Sequence, residues 1–466
     1  MPDQQEVDVV VIGMGPGGEH VAGLLAQAGL DVVGVDARLV GGECPYYACV
    51  PTKMMIRAAD SLAEARRVRE LAGSAQVQPD WAPVAHRIRA EATDNWDDRV
   101  AVERFEGQGG RFVRGFARIT APREVTVATE GGDQRFRATR AIVLNSGTEP
   151  AVPPIDGLAD TPFWTNREAV AATEVPESLV VLGGGPVGLE FAQGFARFGA
   201  QVTVVEALPG LLQAGEPEAA EVITKVFEAE GIKVKAGTSA KRVRHDGDGF
   251  SVELDSGEAV SGQRLLVATG RRTRLADLGV GAVGLDETAK TIDVDDRMRA
   301  ADGVWAVGDV TGRGAFTHVS MYQARIAAAD ILSGNSEDGE AADYRALPAV
   351  TFTDPEVATV GLTESAARER GLSVATGVSR VPSSARGWIH KAGNEGVIKL
   401  VCDRDRGVLV GATVVAPAGG EVLGALAVAV HAEVPVNRLR TMIYAYPTFH
   451  RGIEDALTNL ADTLAG

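Results

Sequence analysis

The chain has 466 residues, 45% of them hydrophobic and 23% charged, with 55 glycines and only 5% aromatics. That length allows about three domains rather than one, and the composition suits a soluble α/β protein rich in tight strand-to-helix turns. A net charge of −17 without a basic stripe argues against nucleic acid as a partner, and every apolar run is interrupted well before the roughly 18 residues of a membrane span.

The opening residues MPDQQEVDVVVIG lack the basic segment and long apolar core of a secretory signal and pass straight into a strand, Val7 to Ile12. Glycines 13, 15 and 18 follow, then an apolar-periodic helix, then a strand from Asp31 to Val35 that ends at Asp36. This is a complete βαβ opening. The segment GGECPYYACVPTK comes next, and residues 56–71 carry the periodicity of an amphipathic helix. Short strands and turns are predicted over residues 111–144, closing on IVLNSG. A proline-rich stretch, residues 150–157, marks a linker.

The pattern then repeats. A strand at residues 179–182 leads to Gly183, Gly185 and Gly188, a helix at 189–198, and a strand from Gln201 to Val205 ending at Glu206. Strands continue through Val260, and LLVATG, residues 265–270, closes this half as IVLNSG closes the first. A third block, GVWAVGDVTG, precedes a helix at 320–332. The acidic stretch 334–343 is predicted to be a loop, and an α/β region from Leu347 ends in a helix at 453–464.

A lone Gly-x-Gly-x-x-Gly is weak evidence, since glycines punctuate many turns. Here each triplet follows a strand, opens a helix and is answered about 20 residues later by an acid at a strand end. Glycines admit a pyrophosphate to the positive helix N-terminus, and the acid accepts hydrogen bonds from a ribose diol. Two such units imply two dinucleotides. Between Glu206 and Lys225 there is no cation to compensate a 2′-phosphate, so NADH is expected over NADPH.

Two of the three cysteines, Cys44 and Cys49, lie in the segment after the first unit. Their separation exceeds disulfide reach in an ideal helix, so a bridge needs a bent helix entrance, which Pro45 can supply. So short a closed loop adds little stability, which favours a redox-active dithiol over a staple. Metal ligation and a pair of buried thiols are the alternatives, and no nearby histidine or second cysteine pair supports a metal; no metal site is expected. Passing electron pairs between a nicotinamide and thiols calls for a flavin on the first unit. Cys402, within VIKLVC, reads as an inert core thiol, and three cysteines without an export signal fit the cytoplasm.

These features together resemble the class I pyridine nucleotide-disulfide oxidoreductases, the flavoprotein family of dihydrolipoyl dehydrogenase and of glutathione, mycothione and mercuric reductases. GGECPYYACVPTK is similar to the redox-disulfide motif, AVGDVTG to the second flavin motif, and FTDPEVATVGLTE to the start of the dimerisation domain. The resemblance implies an α/β fold with two Rossmann-like dinucleotide-binding domains and a C-terminal α+β dimerisation domain. It divides the chain into an FAD-binding domain at residues 1–150 and 280–346, an NAD(P)-binding domain at 151–279 and an interface domain at 347–466.

It also implies roles. Cys49 would face the flavin and Cys44 exchange with substrate, while Lys53 would approach the flavin N5 and pair with Glu190. Asp309 would bind the FAD ribityl chain and Ala117 the adenine region; Gly42, Ser146, Gly147 and His318 join the cofactor-binding positions, and Gly270 would meet the nicotinamide dinucleotide. The expected activity is NADH-dependent reduction of a small disulfide or other thiol-reactive substrate by a homodimer. The C-terminus departs from the pattern, because Tyr446 and Arg451 stand where the family carries its histidine base and the glutamate that orients it. Tyrosine donates a proton but is a poor base at neutral pH, and His450 nearby reads more readily as a surface or interface residue than as a catalytic one. A tyrosine here is similar to mercuric reductases, which leaves direct reduction of quinones or metal ions as the alternative. Against that, LADTLAG lacks the tail cysteine pair of those enzymes, and the bulky Tyr46-Tyr47 between the redox cysteines is itself unusual.

Overall fold

The computed structural model describes residues 4–334 and 339–465. Two compact units divide the chain, one from Met1–Pro51, Arg87–Ala151 and Arg271–Asp343, the other from Thr52–His86, Val152–Gly270 and Tyr344–Gly466.

The first unit is built on an eight-stranded sheet. Gln4–Ile12 lies between Val32–Asp36 and Gly132–Leu144, parallel to both, with Arg111–Arg114 beyond the former and Val304–Ala306 beyond the latter. Helices cover such parallel strands on both faces, which is why they are valine-rich rather than alternating; Val9, Val10 and Val11 are wholly buried. Helix Pro16–Gln27 starts with proline in its first turn, where the missing N–H costs nothing, and Gly29 ends it at φ +89°.

In the second unit the strand–helix–strand arrangement recurs. Ser178–Leu182 pairs in parallel with Gln201–Glu206 and Arg264–Val267, and helix Pro186–Arg197 again opens on a proline. A three-stranded antiparallel sheet, Ala240–His245 to Ala259–Gly262, follows. The C-terminal region is a five-stranded antiparallel sheet packed by helices Gly419–His431 and Gly452–Ala465 around a core that includes Ile398, Leu400, Leu426 and Leu457. The mixed α/β class is as expected.

Several boundaries move. The helix expected from residue 56 begins at Cys49 and runs unbroken to Leu71, because Pro51 falls in its first turn. The expected bend at Pro45 is a break instead: Glu43–Tyr46 is a separate short helix, and the chain leaves helical geometry at Tyr47, φ −137°. Helix 320–332 begins earlier, as Thr317–Leu332. Of the loop expected at 334–343, residues 335–338 lie outside the described residues. Among the described residues no helix is long and apolar enough to cross a membrane.

Candidate active site

Both glycine turns are closed by the same device. At Gly13, φ is +92° and an added Cβ would sit 2.3 Å from the Asn145 carbonyl oxygen; at Gly18 it would meet the Gly13 oxygen at 1.9 Å. The matching distances at Gly183 and Gly188 are 2.3 Å to Ala268 and 2.2 Å to Gly183. Only glycine allows strand, turn and helix to approach so closely. Asp36 then accepts the N–H groups of Met14 at 2.8 Å and Arg38 at 2.7 Å. Glu206 does the same for Gly184 at 2.6 Å and Leu208 at 2.7 Å. Each acid pins its own turn while its remaining lone pairs stay available to a ribose. Burial pushes the Asp36 carboxyl above its ordinary range against those hydrogen bonds.

The bare helix entrance, the acid at the strand end and the open space beside Gly147, Gly185 and Gly270, where an added Cβ would meet nothing, fit dinucleotide groups in both turns.

The cysteine segment is stitched to the first turn. Gly41 donates its N–H to the Met14 carbonyl at 2.6 Å, and Gly42, φ +67°, lies so near that an added Cβ would be 2.9 Å from the Gly15 Cα. Cys44 sits on the short helix and Cys49 at the head of the long one, both half-buried. The Cys49 Sγ is 3.5 Å from the Thr317 Oγ1. Asp309 accepts the Thr148 hydroxyl at 2.7 Å, with Arg271 at 3.8 Å. Ala117 lies on strand Phe116–Ala121, Ser146 follows strand Gly132–Leu144, and His318 stacks on Phe316, centroids 5.2 Å apart.

In the second unit, Lys53, one turn along the helix from Cys49, pairs with Glu190 at 2.7 Å. Glu190 is 5% exposed and also accepts the Phe352 N–H at 2.9 Å, while the Lys53 ammonium stands 4.6 Å from the Phe352 ring centre. A cation pressed between a carboxylate and a ring face is held in one place. Further along the same helix, Asp60 contacts Arg197 at 2.6 Å, and the buried Arg197 also binds Glu230 and Asp354. Desolvation lifts the Asp60 carboxyl to about 6. Tyr446 is exposed, with the Arg451 guanidinium 5.4 Å above its ring, and His450 packs against Tyr444. Cys402 is buried, its thiol pushed up to about 11 by desolvation and Asp403. Among the described residues no cluster of three His, Cys, Asp or Glu could hold a metal.

Sequence reading missed Asn145, Thr317 and Phe352. Asn145 donates to the Gly13 carbonyl at 3.2 Å and so braces the first turn from the far strand; its place in IVLNSG, matching the end of LLVATG, was the available signal.

Residues 7–324 match the profile described as pyridine nucleotide-disulphide oxidoreductase, and residues 347–457 match that family's dimerisation domain. The chain belongs to the pyridine nucleotide-disulphide oxidoreductase family. It is 34% identical to a mercuric reductase of Shewanella putrefaciens over 97% of this chain and 80% of that one. It is also 34% identical to a dihydrolipoyl dehydrogenase of Thermus scotoductus over 96% of each. Among solved structures it is similar to LpdA of Mycobacterium tuberculosis, with a TM-score of 0.85 at 26% identity over 97% of this chain and 100% of that chain. The HOCl-induced flavoprotein disulfide reductase RclA of Escherichia coli gives 0.83 at 26% identity over 97% and 99%. Members of this oxidoreductase family use FAD and a pyridine nucleotide, and the dimerisation domain fits a homodimer.

Proposed function

We propose that the protein is a cytoplasmic, homodimeric NADH-dependent reductase that uses Cys44 and Cys49 to reduce a small disulfide or similarly thiol-reactive substrate. The observation that carries this reading is the stitching of the cysteine segment onto the first glycine turn through Gly41 and Gly42. We assign residues 1–150 and 280–346 to FAD, 151–279 to the nicotinamide coenzyme and 347–466 to the interface. Gly13, Gly15, Gly18, Asp36, Gly42, Ala117, Ser146, Gly147, Asp309 and His318 would hold the flavin dinucleotide, and Gly183, Gly185, Gly188, Glu206 and Gly270 the coenzyme. When bound there, FAD would supply two-electron transfer chemistry between the nicotinamide and the cysteine pair.

The residues of the chain do the rest. Glu190 and Phe352 hold the Lys53 charge in position, and the Thr317 hydroxyl can donate to a Cys49 thiolate, favouring that form. The Cys44 thiolate attacks one sulfur of the substrate; the substrate S–S bond breaks and one thiolate leaves. Cys49 then attacks the Cys44 sulfur, re-forming their bond and releasing the second thiolate, so two electrons pass to the substrate. Tyr446, contributed across the dimer, supplies a proton to a leaving thiolate, with water supplying the other. The Glu206 carboxylate, with no cation before Lys225, supports NADH over NADPH.

Tyr446 and Arg451 favour a second reading, direct reduction of a quinone or metal ion with the cysteines secondary. Cys44→Ser separates the two. Turnover with every disulfide is lost on the first reading, whereas quinone or metal-ion reduction with no loss from Cys44→Ser, and no disulfide turnover by the parent enzyme, supports the second.

A further inference from the structure

Within the first unit a cavity of about 460 Å³ opens beside Cys44, walled on its apolar side by Tyr46 and Val100. That is room for a small organic ligand. Its charge is lopsided, with three carboxylates, Glu19, Asp94 and Asp97, against one guanidinium, Arg104. Arg104 is committed to Glu19 by hydrogen bonds from two of its nitrogens. Asp97 is 3.9 Å from Arg99, whose charge is shared with Glu103 at 2.9 Å. Among the described residues no cation lies within ion-pair distance of Asp94. The excess negative charge therefore falls on the turn Asp94–Trp96, where three consecutive non-glycine residues adopt φ +47°, +56° and +59°. Such a backbone costs free energy and holds both aspartates at the cavity wall.

We infer that Asp94 and Asp97 set the acceptor specificity of the Cys44 cavity, selecting small disulfides that carry positive charge near the S–S bond over carboxylated ones. This rests on the reading of Cys44 as the exchanging thiol. An anion entering the cavity meets three carboxylates against one guanidinium, whereas an ammonium gains their attraction. The apolar wall takes the alkyl arms in either case, so charge decides between substrates of equal length.

The test uses the FAD-loaded enzyme with NADH and three aliphatic disulfides of similar size: cystamine, hydroxyethyl disulfide and dithiodipropionate. The expected order of kcat/KM is cystamine first and dithiodipropionate last, each step about three- to tenfold and carried by KM. Added salt compresses the spread. Asp94→Asn, which asparagine's tolerance of left-handed backbone allows, together with Asp97→Asn at an extended residue, flattens the order mainly through a higher KM for cystamine. An order unchanged by the double variant, or dithiodipropionate leading in the parent enzyme, overturns the inference. Cys44→Ser abolishes turnover of all three; if turnover persists, the reading of Cys44 fails, and the inference with it, whatever the charge order.

Discussion

The two glycine turns share a backbone plan and differ in how they spend it. Around Gly13 the position after the first glycine is Met14, wholly buried, and the closing acid is the short Asp36, itself held above its ordinary pKa by burial. Around Gly183 that position is another glycine, also buried, and the longer Glu206 reaches the same N–H at 2.6 Å from a strand end half-buried as Asp36 is; what differs is the helix entrance, where Pro186 and Val187 are exposed and Pro16 and Gly17 are not. The first turn is sealed into its sheet and carries the cysteine segment on its back; the second stays shallow. A deep, braced turn suits a resident cofactor, and a shallow one suits a coenzyme that comes and goes each cycle.

The strongest way to break that comparison is to add a side chain at the third glycine of each turn. Gly18→Val and Gly188→Val both drive a Cβ onto a backbone oxygen, at 1.9 and 2.2 Å, so each exceeds the ~1–3 kcal/mol of ordinary overpacking. Gly18→Val is expected to purify without flavin colour. Gly188→Val is expected to keep flavin and lose its bleaching by NADH, while still bleaching with dithionite. Visible absorbance decides, and flavin loss in both would erase the distinction.

Next in size is the link between the two helices. Lys53→Met leaves the buried Glu190 carboxylate without its cation, an expected loss of about 2 kcal/mol, below the range for a fully buried pair because Lys53 is partly exposed. Glu190→Gln added to Lys53→Met recovers most of the stability but not the rate of flavin reduction. Denaturant melts and stopped-flow absorbance read the two effects separately.

A smaller effect tests the shallow turn alone. Glu206→Arg is expected to raise the preference for NADPH over NADH about tenfold or more, near 1.4 kcal/mol, with flavin content unchanged. An unmoved coenzyme ratio would remove Glu206 from the ribose site. The smallest effect concerns Asp60, whose carboxylate is more than a third exposed, so that water screens most of its shift. Its folded pKa, about 6, lies above the ordinary 3.8, so the folded state holds the proton more tightly than the unfolded. Its contribution is therefore largest at low pH and is lost as pH rises from about 4 through 6, levelling off above. Asp60→Asn flattens stability across that window, measurable by urea unfolding at its two ends.

The glycine triplets, their answering acids and the cysteine segment were legible because each is local, fixed by strand, turn and helix within some 25 residues. The helix start at Cys49 was not legible because the apolar periodicity begins only at residue 56, whereas the helix itself takes Pro51 into its first turn, where a proline is tolerated. Thr317 and Phe352 were not legible, since each acts on a partner more than 160 residues away in sequence, and Asn145 showed only through its place in IVLNSG. The left-handed turn at Asp94 was half-visible: aspartate and asparagine accept that backbone, but tryptophan gave no hint of it.

Asp36 and Glu206 each hold their turn closed from within, through hydrogen bonds that owe nothing to any guest. The apoprotein should thus keep both receptor loops in shape, and removing flavin under mild conditions should be a reversible extraction rather than the start of unfolding. Flavin analogues of altered potential could then be loaded into the same scaffold, turning one polypeptide into a series of enzymes that differ only in driving force.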